Sequence, residues 1–299
     1  MEHAMRKAWI ALLCLLLAPA FAHGVPTPRY HYFDSAGVPI RYLDVGQGDP
    51  VLLLHGNGGS LQDWVRIGFV RNLSRNFRVI AADARGNGES GKPHDARDYG
   101  RQLSLDVLRL MDHLGIAKAD VVGYSMGAQT AAHLMVIAPA RMAAVVLGGA
   151  PGRYYWTAKN IREVDRHAAQ RQRDCVSRGM LNALRPVGAP PLSDAAFKRR
   201  QAACFANREM DRFALAALSR GQATQMMTRA QACAVRVPTL GVVGQLDAYL
   251  PYFRQLEGCR RNMKLVVIPR AYHASAFRSP EFLAVTRAFL LRHRFPVSR

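Results

Sequence analysis

The sequence predicts an α/β fold in which a mostly parallel sheet is covered by helices on both faces. Three observations carry this. Strand-like apolar runs alternate with helical patterns along most of the chain. The runs are apolar at nearly every position rather than every second one, as in strands buried on both faces. The alternation breaks only once, for about eighty strandless residues. With 299 residues, 49% of them hydrophobic and 21% charged, the chain can bury a sizeable core, which excludes disordered and collagen-like chains. The formal charge of +20 comes mainly from arginines scattered along the chain and not gathered in one run, so nucleic acid is not expected as a partner.

The first residues read as a secretory signal peptide spanning 1–22. Arg6 and Lys7 precede an apolar run from Ala8 to Leu17, and Ala20-Phe21-Ala22 supplies small residues for cleavage after Ala22. The run is too short to cross a bilayer comfortably, so a periplasmic or secreted protein without stable membrane insertion is expected.

From Tyr30 a strand, an Asp34-Ser35-Ala36-Gly37 turn and a second strand form a hairpin. VLLLH at 51–55 is a buried strand, residues 61–73 form an amphipathic helix, and FRVIAAD at 77–83 is the next strand. Leu103, Val107, Leu110, Met111 and Leu114 share one helical face that ends at Gly115. ADVVGYS, a helix from about Met126 to Ile137 and the strand AAVVLGGA at 143–150 continue the alternation. Residues 151–232 are then rich in Arg, Ala and Gln and lack any strand-like run. They are expected to form a helical cap inserted between a first core part, 23–150, and a second, 233–299. That second part holds the strands VPTLGVVG at 237–244 and MKLVVIP at 263–269, and a last helix from Pro280 to His293.

Loss of residues 1–22 would remove Cys14 and leave four cysteines, an even number suited to an oxidising compartment. Cys233 and Cys259 each precede one of two strands expected to be neighbours, so a bond between them is predicted. Cys175 and Cys204 then pair within the insertion.

Gly123-Tyr124-Ser125-Met126-Gly127 lies between an apolar strand and a helix. A nucleophilic serine needs such a sharp turn, and the glycines remove side chains that would collide across it. Taken alone the motif also fits a serine that caps a helix. HGNGGS at 55–60 directly follows a strand and can turn backbone N–H groups toward the serine, so the amides of Asn57 and Met126 are the expected oxyanion donors. That loop lacks the Lys-Ser/Thr of a P-loop and the spacing of a dinucleotide fingerprint. A serine hydroxyl needs a base and a group to orient that base. Asp247 and His273 each lie one loop beyond a strand, at the same sheet edge as Ser125 and in the order Ser, Asp, His. Asp247 also reads as a helix cap and His273 as a surface imidazole.

HGNGGS, DARGNGES at 83–90, GYSMGA, VVGQLDAYLP and RAYHASAF together resemble the α/β-hydrolase superfamily with an inserted helical cap, from about Tyr30 to the end of the chain. The resemblance implies Ser125 as nucleophile, His273 as base, Asp247 as its orienting acid, and Asn57 and Met126 as backbone oxyanion donors. It implies a structural role for Asp83 and Arg85, and Ser125 stands where a dehalogenase or epoxide hydrolase of this fold would carry Asp. The function implied is ester hydrolysis through an acyl-enzyme. Peptidase, lactonase, thioesterase and C–C bond hydrolase activities are alternatives on the same fold, and a ligand-binding protein without catalysis is the rival class. His55 is expected to support the oxyanion loop, and His94, His113, His133 and His167 to be surface or helix-face residues. No HExxH or CxxC spacing is present, and neither metal nor cofactor is expected. From Ala150 to Ala232, 15 Lys and Arg stand against 6 Asp and Glu, a surplus of nine that would favour anionic small-molecule esters if it steers substrates and is otherwise a solvated surface.

Overall fold

A computed structural model describes residues 29–294. The expected signal segment with its cut after Ala22 lies outside the described residues. The strands are β1 (Tyr30–Asp34), β2 (Pro39–Val45), β3 (Pro50–Leu54), β4 (Arg78–Ala82), β5 (Ala119–Tyr124), β6 (Met142–Gly148), β7 (Thr239–Gly244) and β8 (Met263–Ile268). The helices of the first core part are α1 (Leu61–Arg66), α2 (Phe69–Leu73), α3 (Arg101–His113) and α4 (Met126–Ile137). Between β6 and β7 come α5 (Ala158–Asp174), α6 (Arg178–Ala183), α7 (Asp194–Ala206), α8 (Arg212–Gly221) and α9 (Arg229–Ala234). α10 (Leu250–Glu257), α11 (His273–Phe277) and α12 (Pro280–Arg292) follow.

The strands form one sheet in the order β1-β2-β4-β3-β5-β6-β7-β8. β1 pairs antiparallel with β2, and β2 with β4, while every other pairing is parallel. Successive strand residues point to opposite faces, so fully apolar strands serve two cores at once. Leu52, Val121 and Val145 pack with Met111, Leu134 and Phe253 on one side, while Leu53, Val122 and Val146 pack with Trp64, Phe69 and Phe282 on the other. Burying each such side chain contributes roughly 1.5–3 kcal/mol, and the β-branched valines among them favour the strand conformation as well. The strand order reverses around β3, whose neighbours are β4 and β5, and this opens a crevice at the carboxyl edge of the sheet.

Residues 61–73 depart from the expected single helix. α1 stops at Arg66, and Gly68, with φ +79°, turns the chain into α2. The apolar spacing survives the break, because Leu61, Trp64, Phe69, Val70 and Leu73 are all buried in one core. That is why the pattern alone suggested continuity.

The inserted stretch between β6 and β7 contains only helices among its regular elements. Its best-buried helix, α8, sets Ala214, Ala217 and Leu218 against Tyr99 and Met126, which brings the insertion onto the carboxyl edge of the sheet. Cys175 and Cys204 are bonded within it, with Cα atoms 5.9 Å apart. Cys233 and Cys259 are bonded with Cα atoms 5.4 Å apart, joining α9 to the turn after α10, ahead of the adjacent strands β7 and β8. Both pairs are those expected from the sequence.

Candidate active site

β5 ends at the buried Tyr124 and α4 begins at Met126, so the chain reverses direction at one residue. Ser125 makes that turn with φ +54° and ψ −112°, a region costly for any residue with a Cβ. The turn is tight enough that a Cβ on Gly127 would strike the Leu54 carbonyl, and one on Gly123 would strike the backbone of Gly127. The Ser125 N–H donates to the Gly148 carbonyl at 2.8 Å, and its own carbonyl accepts the Gln129 N–H at 3.0 Å, starting the helix. The hydroxyl therefore projects from a fixed backbone.

Asp247 and His273 reach the serine from the loops after β7 and β8. The Asp247 N–H donates to the Gly244 carbonyl, and the Leu246 N–H to the Ala271 carbonyl, which ties the two loops together. His273 Nδ1 donates to Asp247 Oδ2 at 2.8 Å, leaving Nε2 to accept the Ser125 hydroxyl at 2.9 Å. Asp247 is 2% and His273 6% exposed, so water competes little for either contact. The Tyr124 hydroxyl donates to the His273 backbone carbonyl at 2.6 Å and so holds the main chain that carries the imidazole. Asp247 Oδ1 accepts the Tyr249 N–H at 3.0 Å, which holds the turn leading into α10; the helix itself starts after Tyr249 without a side-chain cap, so Asp247 orients the imidazole and braces this turn instead of capping the helix.

The loop after β3 lies against the serine: a Cβ on Gly56 would stand 3.5 Å from that of Ser125. His55 braces it, donating from Nδ1 to the Gly56 carbonyl at 2.7 Å and accepting the Ala84 N–H on Nε2 at 3.0 Å. The Gly58 N–H donates to Asn87 Oδ1 at 2.9 Å. Neither the Asn57 nor the Met126 N–H has an acceptor among the described residues, and Met126 opens a helix whose N-terminal end attracts negative charge. Both polar atoms of the Asn57 side chain are also buried without a partner among the described residues, a feature that sequence reading overlooks. Asp83 accepts the Leu61 and Glu89 amides, and Arg85 grips Asp106 with two buried hydrogen bonds, so both brace loops instead of facing the serine.

Two cavities adjoin this arrangement. A polar one of about 230 Å³ lies between the glycine-rich loops and the insertion, with Gly58, Asn87, Glu209 and Met210 among its walls. An apolar one of about 40 Å³ lies beneath Met126, against Leu52 and Leu110. Neither is lined by Ser125, Asp247 or His273.

Sequence reading also missed an aromatic wall. The Tyr249 ring lies 5.7 Å from that of His273, Tyr155 meets Tyr249 edge-on at 6.3 Å, and Tyr252 stacks on Tyr155 at 3.9 Å. The signal lay in DAYLPYF, directly after Asp247, and in GRYYW, directly after β6. Of the other histidines, His94 is exposed beside Asp211, whereas His133 is buried on α4 against Ser104. Burial, with Arg101 and Arg153 nearby, pulls the His133 pKa down to about 4.

Residues 49–280 match the family model for the alpha/beta hydrolase fold. The chain is 31% identical over 276 residues to the dihydrolipoyllysine-residue acetyltransferase component of the acetoin cleaving system of Pseudomonas putida, covering 87% of this chain and 69% of that relative. It is 28% identical over 278 residues to the 2-hydroxy-6-oxo-6-(2'-aminophenyl)hexa-2,4-dienoic acid hydrolase of Metapseudomonas resinovorans, covering 87% and 90% of the two chains. Among solved structures, an alpha/beta hydrolase enzyme from a Medee basin deep-sea metagenome library superposes with a TM-score of 0.71 at 22% identity, over 90% of this chain and 100% of that one, a likeness of fold.

Proposed function

The chain belongs to the alpha/beta hydrolase family, and from that footing we propose that it is an exported serine hydrolase cleaving a carboxylic ester through an acyl-enzyme. The observation that supports this is the continuous hydrogen-bonded relay from Asp247 Oδ2 through His273 to the Ser125 hydroxyl. As Ser125 Oγ attacks the ester carbonyl, its proton passes to His273 Nε2, and the imidazolium is held by the Asp247 carboxylate. The carbonyl oxygen, now negative, takes hydrogen bonds from the Asn57 and Met126 amides, each such donor being worth roughly 10²–10³ in rate. Collapse returns the proton to the leaving alcohol, and water repeats the sequence to free the acid.

In this reading residues 151–232 cap the site, residues 1–22 carry the protein out of the cytoplasm, and the two disulfides suit the compartment it reaches. The surplus of nine positive charges between Ala150 and Ala232 favours anionic esters. A second reading, C–C bond hydrolysis of a dienoic acid, draws on the relative from Metapseudomonas resinovorans, nine-tenths of whose length is covered. The test is turnover of p-nitrophenyl esters of graded chain length beside a 2-hydroxy-6-oxohexa-2,4-dienoate. Ester turnover that Ser125→Ala lowers by about 10⁴-fold supports the esterase, while turnover of the dienoate alone supports the second reading.

A further inference from the structure

Arg153 follows β6 by a few residues and is 0% exposed. Among the described residues its guanidinium donates once, from Nη1 to Gln225 Oε1 at 2.8 Å. Gln225 Nε2 in turn lies 3.2 Å from both Ser104 Oγ and Thr130 Oγ1, so this anchor is built into α3 and α4. One face of the guanidinium covers the Trp156 ring, with Cζ 5.0 Å from its centre. Nε and Nη2 are buried, and no group among the described residues accepts from either.

Those two atoms form one edge of the guanidinium, and two other arginines of this protein show what that edge suits. Arg78 sets Nε and Nη2 on Asp44 at 3.1 and 2.7 Å, and Arg85 sets the same pair on Asp106 at 2.6 and 2.5 Å. On Arg153 no carboxylate of the described residues takes that position. A buried cation without an anion is strongly destabilising, so an arginine in this state suits a ligand that arrives with the charge. Burial draws its pKa down to about 10, which still leaves it charged at neutral pH.

The place is as informative as the charge. Gly149, just after β6, lies so near the base that a Cβ there would stand 3.0 Å from His273 Cε1. The phenols of Tyr155 and Tyr249 lie within electrostatic reach of Arg153, and Tyr249 packs beside the His273 ring. The guanidinium thus stands behind the aromatic wall that adjoins the imidazole. We infer that Arg153 grips a carboxylate of the substrate through its Nε and Nη2 pair, so that the preferred substrates carry a carboxylate besides the bond that is cleaved. This rests on the hydrolase reading above and narrows it. A single planar fork suits a carboxylate, whose two oxygens match the Nε and Nη2 pair, and His133, the nearby imidazole, is held neutral by burial and so adds no charge for a phosphate dianion.

The test compares two pairs of esters that differ only by a carboxylate in place of a methyl group. Mono-p-nitrophenyl glutarate against p-nitrophenyl valerate probes the acyl side, and 4-acetoxybenzoate against 4-methylphenyl acetate probes the leaving group. The readout is the charged-to-neutral ratio of kcat/KM on one preparation, which a loss of folded enzyme does not move. Arg153→Met should lower that ratio by about 100-fold in at least one pair, and Arg153→Lys, which keeps the charge without the fork, by an intermediate factor. A ratio within about threefold of the unmutated value in both pairs would overturn the proposal. Separately, monomethyl glutarate is titrated calorimetrically into the Ser125→Ala protein, where the chemistry is silent. Binding should weaken at least about tenfold when Arg153→Met is added, and unchanged binding would likewise overturn the assignment. Arg153-dependent binding without turnover of any ester or of the dienoate by the unmutated protein would remove the hydrolase reading and leave the carboxylate site standing.

Discussion

Asp247 holds the His273 imidazole with one carboxylate oxygen, Oδ2 at 2.8 Å, and the Tyr249 amide with the other, Oδ1 at 3.0 Å. Asp247→Asn can keep the amide contact but presents an NH₂ group to Nδ1, which favours the opposite tautomer and leaves Nε2 unable to accept the serine proton. Turnover should fall by about 10³–10⁴-fold with little change in melting temperature. Asp247→Ala should lose similar activity and also about 1 kcal/mol of stability with the hydrogen bond to the Tyr249 amide. Steady-state kinetics and thermal melts on both variants check this.

The turn at Ser125 makes two neighbouring substitutions act in opposite directions. Gly127→Ala would drive a Cβ into the Leu54 carbonyl and should destabilise by about 1–3 kcal/mol while displacing the serine. Ser125→Gly relieves the positive φ and should leave the fold as stable or up to about 1 kcal/mol more stable, while hydrolysis is lost. Denaturant melts that place both variants on the same side of the unmutated protein would contradict the strain assigned to this turn.

The disulfides close chain separations of 29 residues for Cys175–Cys204 and 26 for Cys233–Cys259. Loop-closure entropy assigns each an upper value of about 3.5 kcal/mol. Reduction should therefore lower the melting temperature markedly. Cys233→Ala/Cys259→Ala should weaken the β7–β8 edge that carries both Asp247 and His273, and so activity as well. Melts with and without reductant, paired with ester turnover, separate the two bonds.

Asp120, opposite Val51 near the start of β5, has both carboxylate oxygens buried without a full hydrogen-bond partner among the described residues. Burial pushes its pKa up to about 8, with the Ala144 amide opposing more weakly and Asp49 adding to the rise. Below the ordinary carboxylate value of 3.8 both the folded and unfolded chains hold the proton, and above about 8 neither does. Between these limits the folded chain binds the extra proton, so stability falls as pH rises, by at most about 1.4 kcal/mol per unit. Asp120→Asn should remove this slope, its advantage growing from about pH 4 to pH 8. The residue lies at the opposite edge of the sheet from Ser125, so kcat should not follow. Chemical denaturation across that range would contradict the account if the two proteins kept a constant difference.

The doubly covered sheet was legible because strands buried on both faces show as continuous apolar runs, and two such runs preceded by cysteines revealed their own adjacency. Ser125, Asp247 and His273 were legible for a related reason: each sits just past a strand, and parallel strands bring their ends to one edge. The break at Gly68 was hidden, since α1 and α2 keep their apolar faces in one core. Arg153 was hidden more deeply. Its environment is assembled from the end of β6, the turn carrying Gln225 and the residues leading into α10, which no spacing along the chain relates. Asp120 showed in the sequence as an acid beside an apolar run, but only packing reveals that water is excluded from it.

A serine at position 125 that His273 activates as a nucleophile is open to covalent capture. The protein lacking residues 1–22 is treated with a fluorophosphonate and its intact mass and peptide map are read. One adduct per chain is expected, on Ser125, formed far more slowly in His273→Ala and absent in Ser125→Ala. An unlabelled protein, or one labelled at another residue while Ser125→Ala keeps its ester turnover, would contradict it.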